Sequence, residues 1–220
     1  NNCNIKKKMK GCFMNIYLDC DEVLLETAKA HHLMREENFH IKDDLNKYPS
    51  QWKYTHPELS SYEKSTLEFI TNYRFSGIFP VKNAVKGVHR LKQAGFKLHI
   101  VTSISEDRLT QIYRNKNLQY YFGDVFETVT CLPLGHDNKK EYYRKADIGI
   151  VIDDSALNII DAISCGHQGI FMAIPQNKEW HEKMRTTPNV QVKKDLLDAA
   201  NFIIQTNCLF YKNLDNGKQR

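Results

Sequence analysis

Short apolar runs that end in oxygen-bearing side chains recur along this chain, each followed by residues at helical spacing. Ile16-Tyr17-Leu18 runs into Asp19-Cys20-Asp21, Phe96–Val101 into Thr102-Ser103, and Ile148–Ile152 into Asp153-Asp154-Ser155. Between them, Val81, Ala84, Val85, Val88 and Leu91 form a helical stripe closed by Gly95, and Ala156–Cys165 reads as a helix closed by Gly166. Strands alternating with helices pack as a parallel sheet covered on both faces. The carboxyl ends of its strands then share one edge, where ligands bind. Three polar strand ends are therefore expected to meet at one place.

The fold class expected is α/β: a three-layer, Rossmann-like parallel sheet with a small helical cap inserted after the first strand. Val125–Leu132 reads as a further strand and Gly169–Ala173 as the last strand of the sheet. Helices are expected over Glu26–Glu37, Lys139–Lys145 and Lys194–Ile203, and Ser105 is placed at the start of one carrying Leu109 and Ile112. Residues 30–76 hold no convincing strand. Pro49 and Pro57 break the pattern, and a capping box at Ser60-Ser61-Tyr62-Glu63 precedes Leu67, Ile70 and Tyr73 at helical spacing. The reading gives a basic tail at 1–13, a core at 14–29 and 77–205, the cap at 30–76, and a loose tail at 206–220.

Composition narrows the class. Hydrophobic residues make up 41% of 220, which supports one good core. No apolar run approaches the roughly 20 residues of a membrane-spanning helix. Lys6, Lys7, Lys8 and Lys10 read as a solvated tail, with no secretory-type apolar segment behind them. Six cysteines without CxxC spacing argue against a zinc site or a disulfide framework and point to a reducing, cytoplasmic setting. Cys20, between the two aspartates, reads as a packing residue. The net charge of +5 suits anionic, phosphate-bearing substrates and gives no sign of a nucleic-acid polymer as partner. Nothing in the sequence fixes an oligomeric state.

Four carboxylates at one sheet edge repel one another unless a cation sits among them. Oxygen-only ligands in a site open to water favour magnesium. Lys139, Lys140 and Lys145 precede the second acidic pair and supply candidates for a phosphate-site lysine. A carboxylate nucleophile, a cation, hydroxyls and a lysine together describe phosphoryl transfer through an aspartyl-phosphate.

With these residues in order, the chain resembles the haloacid-dehalogenase-like superfamily of phosphohydrolases over about residues 15–173. Asp19, Asp21 and Val23 match its first motif, His99–Ser103 its second, a lysine its third, and Ile150–Asp154 its fourth. The resemblance implies Asp19 as nucleophile and Asp21 as general acid, later base. It implies Thr102 and Ser103 as holders of phosphate oxygens and Lys139, or next to it Lys140, as the charge-steadying group. Magnesium would be held by Asp19, the Asp21 carbonyl and Asp154, with Asp153 orienting the lysine or a metal-bound water.

The insert and the Phe79-Pro80-Val81 segment resemble the capped pyrimidine 5′-deoxyribonucleotidase branch, which implies a nucleoside monophosphate or similar small phosphorylated metabolite as substrate. Cap aromatics Trp52, Tyr54, Phe69, Tyr73 and Phe75 are candidates for base contacts, or for packing cap on core. Glu22 stands where that branch carries glycine and is more familiar from capless phosphatases. A phosphoprotein (phosphotyrosine or phosphoserine) phosphatase, as a bacterial effector delivered into a host cytosol, is the alternative. A catalytically silent scaffold is the reading from another class.

Overall fold

The computed structural model describes residues 14–40, 66, 68–133 and 137–217. The basic tail, Trp52, Tyr54 and the capping box at 60–63 lie outside them. Six strands form one sheet: β1 (Asn15–Leu18), β2 (Lys97–Ser103), β3 (Thr128–Leu132), β4 (Gly149–Asp153), β5 (Gln168–Met172) and β6 (Val190–Lys193). Their order is β3-β2-β1-β4-β5-β6, and every neighbouring pair is parallel. The sequence places the last strand at Gly169–Ala173, so β6 corrects it. Val190-Gln191-Val192-Lys193 is four residues long with one side polar, as an edge strand allows.

Strand register fixes where the functional groups emerge. Leu18 pairs with Ile100 on one side and Ile152 on the other. The direction of strand addition reverses across β1, so the ends of β1, β2 and β4 flank the topological switch point.

Period-two alternation then divides the core. Ile16, Leu18, Leu98, Ile100, Ile150 and Ile152 face one layer, and Tyr17, Val101 and Val151 the other. The first layer contains α2 (Ala84–Gln93), α3 (Arg108–Phe122) and α7 (Leu196–Gly217). The opposite layer contains α4 (Asp137–Lys145), α5 (Ala156–Ser164) and α6 (His181–Thr186). Gly87 lets α2 and α7 touch. A Cβ there would sit 2.8 Å from backbone atoms of Leu196. The backbone of α7 stays helical to Gly217, beyond Thr206, where the sequence begins a loose tail.

Two details of α3 depart from expectation. Its N-cap is Asp107, whose carboxylate accepts from the Thr110 amide at 2.8 Å, not Ser105. Its buried face carries Thr110, Arg114, Asn117, Leu118 and Phe122, while Leu109 and Ile112 are exposed. Polar side chains occupy the inward positions, so an apolar stripe misplaces the helix phase.

The chain leaves the sheet after β1 and returns before α2 along two adjacent passes. Glu26 donates its amide to the Phe79 carbonyl, and Val81 donates to that of Leu24, both at 2.9 Å. Between them lie α1 (Thr27–Phe39) and a 3₁₀ turn at Tyr73–Gly77. Phe69 and Phe75 are buried and meet edge to face at 5.4 Å, and His31 stacks on Phe69 at 5.2 Å. Tyr73 is exposed. Two of the candidate base-contacting aromatics are thus part of the packing.

Candidate active site

Asp19 continues β1, its amide donating to the Ile152 carbonyl at 3.0 Å, and its side chain is buried. The backbone then coils back: the amides of Leu24 and Leu25 both donate to the Cys20 carbonyl, at 2.8 and 3.0 Å. Glu22 holds the left-handed conformation that closes this turn, with φ of +59°. Such a position suits glycine best and is uncommon for other residues. Here the glutamate is anchored, its Oε1 accepting from the Ala28 amide at 2.6 Å in the first turn of α1. The departure from glycine therefore leaves the turn intact.

Lys139 decides the geometry. It projects from α4, 3% exposed, and its Nζ lies 2.8 Å from Asp19 Oδ1 and 2.8 Å from Asp153 Oδ2. Asp153 also accepts from the Ser155 amide at 2.8 Å, and both its carboxylate oxygens accept from Asn158 Nδ2, each at 3.1 Å. Asp153 is therefore occupied by protein donors on both oxygens. Asp154, next along the chain, joins Asp19 and Asp153 in a buried group whose ligand oxygens lie within 4.8 Å of one another.

Three buried carboxylates against one ammonium leave an excess of negative charge. Burial is the leading cause that pushes Asp19 up to about 7, with Lys139 opposing it and Asp153 and Asp21 adding to it. Burial likewise raises Asp154 well above the usual carboxylate range, reinforced by Asp153, Asp19 and Glu22. Burial alone would lower Lys139, but the carboxylates of Asp153 and Asp19 overturn that and hold it charged. A divalent cation fits this donor set, since it would offset the excess charge on oxygen ligands alone.

Thr102, at the end of β2, is completely buried, and its hydroxyl finds no partner among the described residues. A buried unsatisfied hydroxyl beside an acidic cluster is a natural place for a ligand oxygen. Ser103 follows it, half-buried. Asp21 lies at the rim of the turn, its Oδ1 accepting from the Thr27 hydroxyl at 2.6 Å and from Arg114 Nη2 at 2.5 Å. The structure thus brings together Asp19, Lys139, Asp153 and Asp154, with Thr102 at the adjoining strand end.

Lys140 is not among them. One residue further round α4, it turns to Asp161 at 2.9 Å with its side chain 40% exposed, away from the Asp19 and Asp153 carboxylates that Lys139 bridges. Lys145 pairs with Glu141 on the surface. Sequence reasoning missed three residues that shape the site. Asn158 orients Asp153 and follows it by five positions on α5. Asn177 is buried and donates to the carbonyls of Asp154 and Met172, at 2.8 and 2.9 Å. Arg114 holds Asp21 from α3. A charged residue spaced four from Thr110 and Leu118 on a helix was the available signal for it.

Neither a family model nor a curated protein matches this chain. Solved structures do. A haloacid dehalogenase-like family hydrolase from Streptococcus pneumoniae superposes with a TM-score of 0.59 at 13% identity, covering 87% of this chain and 98% of that one. The chain shares that fold. The D,D-heptose 1,7-bisphosphate phosphatase of B. bronchiseptica, complexed with magnesium and phosphate, gives 0.55 at 13% identity over 88% and 99%. The haloacid dehalogenase-type hydrolase YfnB of Bacillus subtilis, bound to magnesium, gives 0.57 at 16% over 89% and 100%. Among the described residues, no helix is long and apolar enough to cross a membrane.

Proposed function

We propose that this protein is a magnesium-dependent phosphomonoester hydrolase that forms an aspartyl-phosphate on Asp19. The observation that carries the reading is the Lys139 bridge between Asp19 and Asp153, with Asp154 completing the acidic group and the unpaired Thr102 hydroxyl at the next strand end. The magnesium and phosphate found with the B. bronchiseptica phosphatase and the magnesium of YfnB are in keeping with it.

In this reading an Asp19 oxygen attacks phosphorus while Asp21 gives a proton to the departing alcohol oxygen. Water then attacks the acyl-phosphate, Asp21 takes its proton, and inorganic phosphate leaves with Asp19 restored. Thr102 and Ser103 donate to phosphoryl oxygens, and the Lys139 ammonium balances charge on the pentacoordinate transition state. Magnesium would be held by Asp19, Asp154 and the Asp21 carbonyl, and when bound it offsets negative charge on both enzyme and phosphoryl group. Asp153 acts through Lys139, which it orients.

The substrate proposed is a small phosphorylated metabolite, a nucleoside monophosphate first among them. The described ends of the insert leave and rejoin the core side by side, Glu26 donating to the Phe79 carbonyl and Val81 to that of Leu24 a few residues beyond Asp19 and Asp21, and in this reading the insert limits the size of what enters. The test is phosphate release from p-nitrophenyl phosphate, nucleoside monophosphates, sugar phosphates and a phosphotyrosine peptide, with and without magnesium. Magnesium-dependent release that Asp19→Asn abolishes is the expected result. A preference for the peptide would replace the metabolite assignment, and equal rates for Asp19→Asn and the parent would refute catalysis by this site.

A further inference from the structure

Among the described residues Arg114 is the largest fully buried side chain, on the inner face of α3. Placing a guanidinium inside a core is costly unless it is paired. Its ion-pair partner is Asp21, at 2.5 Å from Nη2. The rest of the group lies 4.5 Å above the Phe75 ring, and its Nε and Nη1 find no acceptor among the described residues. The core thus tolerates two unsatisfied donors to keep one contact with Asp21.

The location of that contact is informative. Thr27 and Arg114 both donate to Oδ1 of Asp21, at 2.6 and 2.5 Å. An oxygen accepting two short hydrogen bonds is poorly placed to carry a proton of its own, so a proton on this carboxyl group resides on Oδ2. The Asp21 side chain is 23% exposed, so it is not sealed inside the core with the arginine. One turn further along α3, Asn117 donates to the carbonyls of Ser76 and Ile78, at 2.8 and 3.0 Å. The same helix therefore clamps the chain returning from the insert and fixes the ring against which Arg114 packs.

We propose that Arg114 is a positioning residue for the acid–base group: it pins Oδ1 of Asp21 so that Oδ2 faces the departing oxygen. This rests on the phosphatase reading given above. In the forward step the proton on Oδ2 goes to the leaving oxygen as the phosphorus–oxygen bond breaks, and Asp21 is left ionised against the guanidinium. Arg114 itself exchanges no proton and touches no substrate atom.

A purely structural arginine and a positioning one differ in how the rate depends on the leaving group. In the full chain, kcat/KM is measured over a series of aryl phosphates from p-nitrophenyl to phenyl phosphate, for the parent, Arg114→Met, Arg114→Lys, Asp21→Asn and the double variant. Arg114→Met is expected to lower kcat/KM for phenyl phosphate about a hundredfold and for p-nitrophenyl phosphate, which departs without a proton, less than about tenfold. Arg114→Lys recovers part of the loss. In the Asp21→Asn background, Arg114→Met changes kcat/KM less than about threefold, because the group it positions is gone.

A loss that is uniform across the series, or one that multiplies with Asp21→Asn, overturns the proposal. An unchanged series does the same. Should Arg114→Met lack a cooperative thermal transition, Arg114→Lys, which keeps the charge but not the planar fork, is judged by the same two criteria. Parent activity that is absent or insensitive to Asp19→Asn refutes the phosphatase reading first, and the Arg114 proposal with it.

Discussion

Lys139→Met removes the one positive charge that contacts Asp19 and Asp153 among the described residues. The lysine is 4% exposed at its side chain and stands 2.8 Å from each carboxylate, so solvent screens neither contact. Losing one partner of a buried ion pair costs about 3–5 kcal/mol, because the remaining charge stays desolvated. For a chain of this length that corresponds to a fall in Tm on the order of 10 °C. The cost depends on pH in a defined direction. Burial already lifts Asp19 from its ordinary value of 3.8 to about 7 with the lysine in place. A carboxyl group whose folded pKa is raised destabilises the fold as pH climbs from its unfolded value through its folded one. At pH 5.5 Asp19 is protonated with or without the lysine, so the loss is that of the Asp153 pair alone. At pH 8 the parent ionises Asp19 against the ammonium, whereas the variant, lacking the charge that opposes the rise, must keep the proton or bury the carboxylate unopposed, and the loss grows. Thermal melts with a chelator at the two pH values measure this. The gap between variant and parent should widen from pH 5.5 to pH 8, while Lys145→Met, whose lysine pairs with Glu141 on the surface of α4, should leave both melts where they are. Equal melts for Lys139→Met and the parent at pH 8 would refute the charge balance inferred for the site.

The same charges predict how catalysis responds to metal and pH. A divalent cation beside Asp19 favours its ionised form, so the acidic limb of the kcat/KM profile should move to lower pH as magnesium is raised; a limb that stays fixed would separate the cation from Asp19. Gly87→Val should destabilise the fold by about 1–3 kcal/mol without altering kcat, since the new side chain meets backbone atoms of Leu196 at 2.8 Å in the contact between α2 and α7; denaturant titration reads the first and steady-state kinetics the second.

Much of this was legible in the sequence because burial and register left few alternatives. All five residues of β4 are buried, so Gly149–Asp153 had to be apolar until its last position. The aspartate there is held by Lys139, Ser155 and Asn158. The choice among lysines was not legible, since it turns on helix phase. Lys139 and Tyr143, four residues apart, share the buried side of α4, whereas Lys140 is rotated away toward Asp161. Arg114 escaped for a related reason. Its helix buries Thr110, Arg114 and Asn117 where a periodicity argument looks for apolar residues, and exposes Leu109 and Ile112. β6 was too short and too polar on one side to stand out from a loop. In each case a tertiary contact, made by residues distant in sequence, decided what local pattern could not.

The central claim is that Asp19 becomes transiently phosphorylated. Rapid quenching during turnover of p-nitrophenyl phosphate with magnesium, followed by borohydride reduction and peptide mass spectrometry, converts an aspartyl-phosphate into homoserine at the modified position. The account predicts homoserine at residue 19, accumulating with turnover and absent from Asp19→Asn. Turnover that leaves residue 19 as unmodified aspartate, with the mark elsewhere or nowhere, would contradict it.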